Sequence, residues 1–172
     1  MDRLDPWRLT RVMTSSDTLL ADSVLAAATL VTGLQAGTYF TWATGVMPGL
    51  ARADDRTFVE AMQRVNAAIV NPVFVSTFLG APILAGAAAA TVDGPARPWA
   101  IAGTVLALAT VVITAVGNIP LNNALDEAGP VDRVDGLAAV RAAFEPRWVR
   151  LNVLRSLTSA GALACLSWAA SR

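Results

Sequence analysis

The chain has 172 residues, 55% hydrophobic and 15% charged, with a formal net charge of zero. Average soluble domains are about a quarter charged, and neutrality removes any electrostatic case for a nucleic-acid partner. All thirteen cations are arginine and histidine is absent, which excludes His-ligated zinc or haem, imidazole-based triads and histidine pH switching. The single cysteine, Cys165, lies in an apolar run and reads as a small core residue, with no intrachain disulfide. One thiol and scattered carboxylates give no expected metal site.

Charge-free runs organise the chain: Asp22 to Arg52, Arg64 to Asp93, Arg97 to Asp126, and a last one after Arg155. A spanning helix needs about 20 mostly apolar residues. The first three runs exceed that, and the fourth reaches it if Arg155 is included. They predict an all-α fold: a four-transmembrane-helix bundle with spans at about 19–47, 72–91, 99–121 and 148–170. The whole chain, 1–172, reads as a single membrane domain. The first 18 residues mix three arginines with three aspartates, and no A-x-A site closes the first apolar run, so no signal peptide is expected.

Span one contains "GLQAGTYFTWATGVMPGL". Gly33 and Gly37 form a G-x-x-x-G pair suited to close helix packing. Gln35 and Tyr39 share a face, as do Thr38 and Trp42. Tyr39 and Trp42 read either as interfacial anchors or as walls of a substrate pocket. Pro48-Gly49 is expected to close this helix. Residues 56–70, "RTFVEAMQRVNAAIV", place Phe58, Met62, Val65 and Ile69 on one face, predicting an additional amphipathic helix between spans one and two. Asn71, before Pro72, reads as a helix cap or as a site residue, with Asn66 able to reach the same place.

"DGPARP" predicts a tight loop before span three. That span ends in "TAVGNIPLNNAL", where Pro120 lacks a donor and opposes the carbonyl of Val116. Asn118 and Asn122 stand at i, i+4. Their amides either repair the broken ladder or line a polar pocket. "DEAGPVDRVDG" breaks the chain, and "LAAVRAAFEPRW" predicts a peripheral helix leading into span four. There "WVRLNVLRSLTSAG" puts Trp148, Asn152 and Arg155 on one stripe. Arg155 lies about 7–10 Å into the span at ~1.5 Å per residue. It either snorkels outward or meets Asn118, Asn122 and Asn152 in a shared pocket. Arg3, Arg8, Arg11, Arg97 and Arg172 fall on one side of this topology and seven other arginines on the opposite side, which leaves orientation open.

Four motifs in order, "GTYFTWATGVMPGL", "FVEAMQRVNAAIVNPVF", "NIPLNNAL" and "WVRLNVLRSLTS", resemble a bacterial and fungal membrane family that includes the anthrone oxygenases of aromatic polyketide pathways. The resemblance covers about 37–160. It implies a small four-helix membrane protein of the bacterial cell membrane. It also implies oxidation of an anthrone to an anthraquinone by dioxygen, with no known cofactor. Matching polar positions are Gln63, Asn66, Asn71, Asn118, Asn122, Trp148, Asn152 and Arg155. Arg155, Asn152, Asn118 and Asn122 would act on the substrate oxyanion. Asn71, Asn66, Trp148, Tyr39, Trp42 and Gln63 would hold an apolar aromatic substrate drawn from the lipid bilayer. The lack of histidine argues against an imidazole base, leaving Glu60, Asp126, Glu127 or Tyr39. The alternative is a non-catalytic lipophile-binding protein or a subunit of a membrane assembly, and a homo-oligomer stays open.

Overall fold

The computed structural model describes residues 15–172. Arg3, Arg8 and Arg11, invoked for orientation, lie outside these residues. Among the described residues every regular element is helical. Helix α1, Ser15–Thr41, passes through a π turn, Trp42–Val46, into α2, Met47–Leu50. After α3, Asp55–Ile69, and α4, Pro72–Thr91, comes α5, Arg97–Ile113. A second π turn, Thr114–Asn118, joins it to α6, Ile119–Glu127. Helix α7 is a single rod, Leu137–Ala169.

Among the described residues three stretches are long and apolar enough to cross a membrane: Ser16–Leu50, Pro72–Thr91 and Gly94–Glu127. This is a membrane protein turned inside out relative to a soluble one. Leu30, Leu34, Ile83, Val105 and Val112 are exposed, while Thr32, Gln35, Thr110, Asn118, Asn152 and Arg155 are buried. Hydrocarbon solvates aliphatic side chains as well as a core does, so the interior is left to small and polar groups.

Several sequence expectations change. The first helix ends at Leu50 rather than near residue 47, with Pro48-Gly49 inside its last turn. Span three does not stop at Leu121 but continues to Glu127. Both prolines lie two residues past a π turn. Each turn is closed by an i to i−5 bond, from Met47 N–H to Trp42 O and from Ile119 N–H to Thr114 O. Widening one turn lets the helix pass a residue that lacks a donor without abandoning its ladder in lipid. The peripheral helix expected at 137–148 is continuous with the helix that follows it, with Pro146 inside α7.

Helices α1, α4, α5 and α7 pack around one interior. At one end the filling is small: Ala21, Ala28, Ala85, Ala88 and Ala100 with Leu25 and Leu166. The tightest glycine contacts are made against α7, from α5 and from the second π turn. A Cβ on Gly103 would stand 2.9 Å from Leu166 Cγ, and one on Gly117 would stand 2.8 Å from Leu151 Cδ1. The Gly33/Gly37 pair does not serve this purpose. A Cβ on Gly33 would make ordinary contact with Leu163, and one on Gly37 meets nothing within 4 Å.

At the other end α3 docks by Phe58, Val59 and Met62 onto Leu125, Phe144 and Trp148. Its N-terminus is capped by Asp54, which accepts from Thr57 N–H (2.9 Å) and the Thr57 hydroxyl (2.7 Å). Those bonds hold the Asp54 carboxyl below its usual pKa. Arg141 of α7 locks the preceding turn by donating to Asp55, Ala53 O and Ala51 O, with its guanidinium 4.5 Å from the centre of the Phe58 ring.

Candidate functional site: a buried arginine in an apolar cavity

Where α3 docks, the bundle leaves a cavity of about 330 Å³, near the small end of ligand pockets (roughly 300–1,000 Å³). Val65 and Ile69 of α3 with Phe74, Val75, Phe78 and Leu79 of α4 make an apolar wall. Phe74 and Phe78 stack at 5.8 Å. The opposite wall is polar and comes from the end of α1, the two π turns, α6 and α7: Tyr39, Trp42, Thr114, Asn118, Asn122, Trp148 and Arg155.

Arg155 is 7% exposed. Its guanidinium lies 4.6 Å from the Tyr39 ring centre and 5.3 Å from that of Trp148. Nη2 donates to Asn152 Oδ1 at 2.9 Å, and Nε has no partner among the described residues. Among the described residues no carboxylate pairs with it. A buried cation held only by two aromatic faces and an amide is electrostatically incomplete, and an anionic or strongly polarised oxygen in the cavity would complete it.

Other polar atoms point to the same need. Tyr39 Oη, Asn66 Nδ2 and both amide atoms of Asn118 are buried without a hydrogen-bond partner among the described residues. Each such group costs roughly 1–3 kcal/mol. All three residues line this one cavity, a concentration that marks a place built to receive polar atoms. The Asn118 amide therefore does not repair the backbone near Pro120; the π turn does that. Asn122 accepts from Trp148 Nε1 at 3.0 Å and fixes the indole against the cavity.

The sequence-predicted residues separate into groups. Asn118, Asn122, Trp148, Arg155, Tyr39, Trp42 and Asn66 line the cavity together. Asn152 lies behind that wall and is fully buried. It donates to Tyr39 O (3.1 Å) while accepting from Arg155, so it ties α7 to α1 and aims the guanidinium. Asn71 and Gln63 stand apart from the cavity. Asn71 is exposed and caps α4, accepting from Phe74 N–H. Gln63 donates to Leu125 O and Gly129 O, pinning α3 to the end of α6. Glu60, Asp126 and Glu127 also fall outside the cavity, and Glu60 pairs with Arg64. Among the described residues that line it, only Tyr39 and Arg155 titrate. Thr114, Phe74 and Phe78 were not singled out from sequence, whereas Thr38, placed there on one face with Trp42, lines the cavity beside it. Thr114 stands one helical step, i−4, before Asn118, and that spacing was the available signal. Among the described residues no group of three or more carboxylate, thiol or imidazole side chains lies together.

A family model described as anthrone oxygenase matches residues 58–165, more than half of the chain. It takes in Asn66, Asn118, Asn122, Trp148, Asn152 and Arg155. The Tyr39–Trp42 part of the wall lies before it, so the first of the four sequence motifs is outside the match. No curated protein and no solved structure matches the chain.

Proposed function

The chain belongs to the anthrone oxygenase family, and from that premise we propose that it is a membrane oxygenase acting, without a cofactor, on a flat apolar aromatic ketone. In this reading α7 crosses the membrane as a fourth span, and α3 is the extra amphipathic helix between spans one and two. The observation that carries the reading is Arg155, a buried guanidinium without a carboxylate partner at the polar pole of an apolar cavity.

The chemistry asks little of the protein. An anthrone loses a proton from its ring methylene and becomes an enolate. The enolate gives electrons to dioxygen and forms a carbon–oxygen bond. The resulting hydroperoxide loses water, so one dioxygen yields one quinone and one water. Arg155 and the Asn118 amide stabilise the oxyanion as it develops. Among the described residues Tyr39, beside Arg155, is the one candidate base on the cavity wall. Its phenolate takes the methylene proton, and the phenol returns it to the peroxide anion to give the hydroperoxide. Trp42, Trp148, Phe74 and Phe78 hold the rings. A second reading, a non-catalytic lipophile-binding protein, draws support from the lack of any carboxylate lining this cavity.

The test is turnover of an anthrone by purified protein in lipid nanodiscs. Wild type is expected to exceed the oxidation rate of protein-free nanodiscs, with one dioxygen consumed per anthraquinone. Arg155→Met loses a charge-assisted bond worth about 1.5–3 kcal/mol. That is roughly one to two decades in kcat at ~1.4 kcal/mol per decade, with helix content retained. Wild-type oxidation no faster than the protein-free background removes the oxygenase reading.

A further inference from the structure

The cavity is open on one side, and the residues at its edge show which solvent it meets. Its outer lining includes Val75 and Leu79 of α4 and Ile119 of α6, which are 38%, 47% and 45% exposed. Val75 and Leu79 follow Pro72, the first residue of α4, by three and seven positions, or ~5 and ~10 Å along the axis. That is one to two turns inside a segment apolar enough to cross a membrane. On the segments that bear these residues, Val73, Ile83, Val112 and Val116 are also exposed apolar side chains. The cavity's orphaned polar atoms belong to Tyr39, Asn118 and Arg155 on the opposite wall, and to Asn66.

We propose that this opening is a lateral portal through which the ligand enters from the bilayer, oxygen-bearing edge first, and that Leu79 and Ile119 are the side chains that set its width. The proposal deepens the oxygenase reading and rests on it for the ligand. The portal selects molecules that dissolve in acyl chains, are thin enough to pass between two helices, and can lead with an oxygen-bearing edge. Once inside, that edge meets Arg155 and Asn118 while the apolar body stays against Phe74 and Phe78. Water-soluble aromatics bearing charge at both ends are excluded, because one charge would remain in the apolar mouth.

Two measurements test it. In the first, stopped-flow binding of anthraquinone is followed by tryptophan quenching in nanodiscs of increasing lipid content. The wild-type rate is expected to follow the mole fraction of anthraquinone in the bilayer. Leu79→Trp and Ile119→Trp are expected to slow entry and exit alike, by roughly tenfold, with Kd nearly unchanged. Leu108→Trp, on the exposed face of α5 away from the cavity, binds as wild type does. In the second, the extra emission of Ile119→Trp is expected to be quenched by lipids brominated mid-chain and not by aqueous acrylamide. The portal is overturned if rates follow aqueous concentration, if both portal variants bind at wild-type speed, or if acrylamide alone quenches Ile119→Trp. Failure of anthraquinone to bind wild type at any lipid content removes the substrate reading instead, and the quenching arm still decides where the opening lies.

Discussion

Asn118 and Asn152 are both buried asparagines, yet their amides stand in opposite situations. Asn152 spends its amide on Tyr39 O and Arg155, whereas Asn118 has no partner for either amide atom. Removing a satisfied group strands its partners at about 1–3 kcal/mol each, whereas removing an unsatisfied one relieves that cost. Asn152→Leu is therefore expected to lower the thermal midpoint in detergent, and Asn118→Leu to leave it unchanged or raise it. Ligand affinity should move the other way for Asn118→Leu, falling by roughly a decade for one lost hydrogen bond to a bound oxygen. A lowered midpoint for Asn118→Leu would show that its amide is structural. The sequence showed these asparagines as too polar for their surroundings, but which of them is satisfied depends on contacts from α1 and α7 that spacing cannot supply.

At the scale of elements, the two π turns bring the cavity wall into being. Trp42 lies in the first, and Thr114 and Asn118 begin and end the second. A π turn is an α-helix with one added residue, so deleting one residue returns the helix to regular register while keeping both flanks in phase. Deleting Val116, which is 73% exposed, is expected to preserve helix content by circular dichroism. Thr114 and Asn118 would lose their shared aim, and binding of anthraquinone should weaken by at least about tenfold. Unchanged affinity would mean that the π turn serves only to pass Pro120. Pro48 and Pro120 were legible as breakers. That the helices continue through them was not, because propensity is read against water, and in lipid a freed carbonyl costs more than a widened turn.

At the scale of the whole molecule, stability rests on how closely α5 and α7 approach. A Cβ on Gly103 would meet Leu166 at 2.9 Å and the Ala162 carbonyl oxygen at 3.3 Å. The backbone oxygen cannot swing aside, so overpacking of about 1–3 kcal/mol should outweigh the ~1 kcal/mol that alanine gains in helix propensity. Gly103→Ala is expected to lower the thermal midpoint, and Gly37→Ala, with nothing within 4 Å, to raise it slightly. A stable Gly103→Ala would show that the seam has slack. The sequence by itself determined the membrane class, the all-helical fold and the amphipathic α3; it set Asn118 and Asn122 on one helix face and Trp148, Asn152 and Arg155 on another, and left open whether the two sets meet. Charge-free length and helical period are local properties, and they set which segments enter hydrocarbon and which residues share a face. Only the tertiary structure decided that Asn71 and Gln63 serve the backbone, that Asn152 aims Arg155 from behind the wall, and that Tyr39 and Asn66 join the cavity from distant segments. It also moved the close glycine contact from Gly33/Gly37 to Gly103 and Gly117. Those outcomes depend on which faces of different helices meet, and a one-dimensional pattern does not specify that.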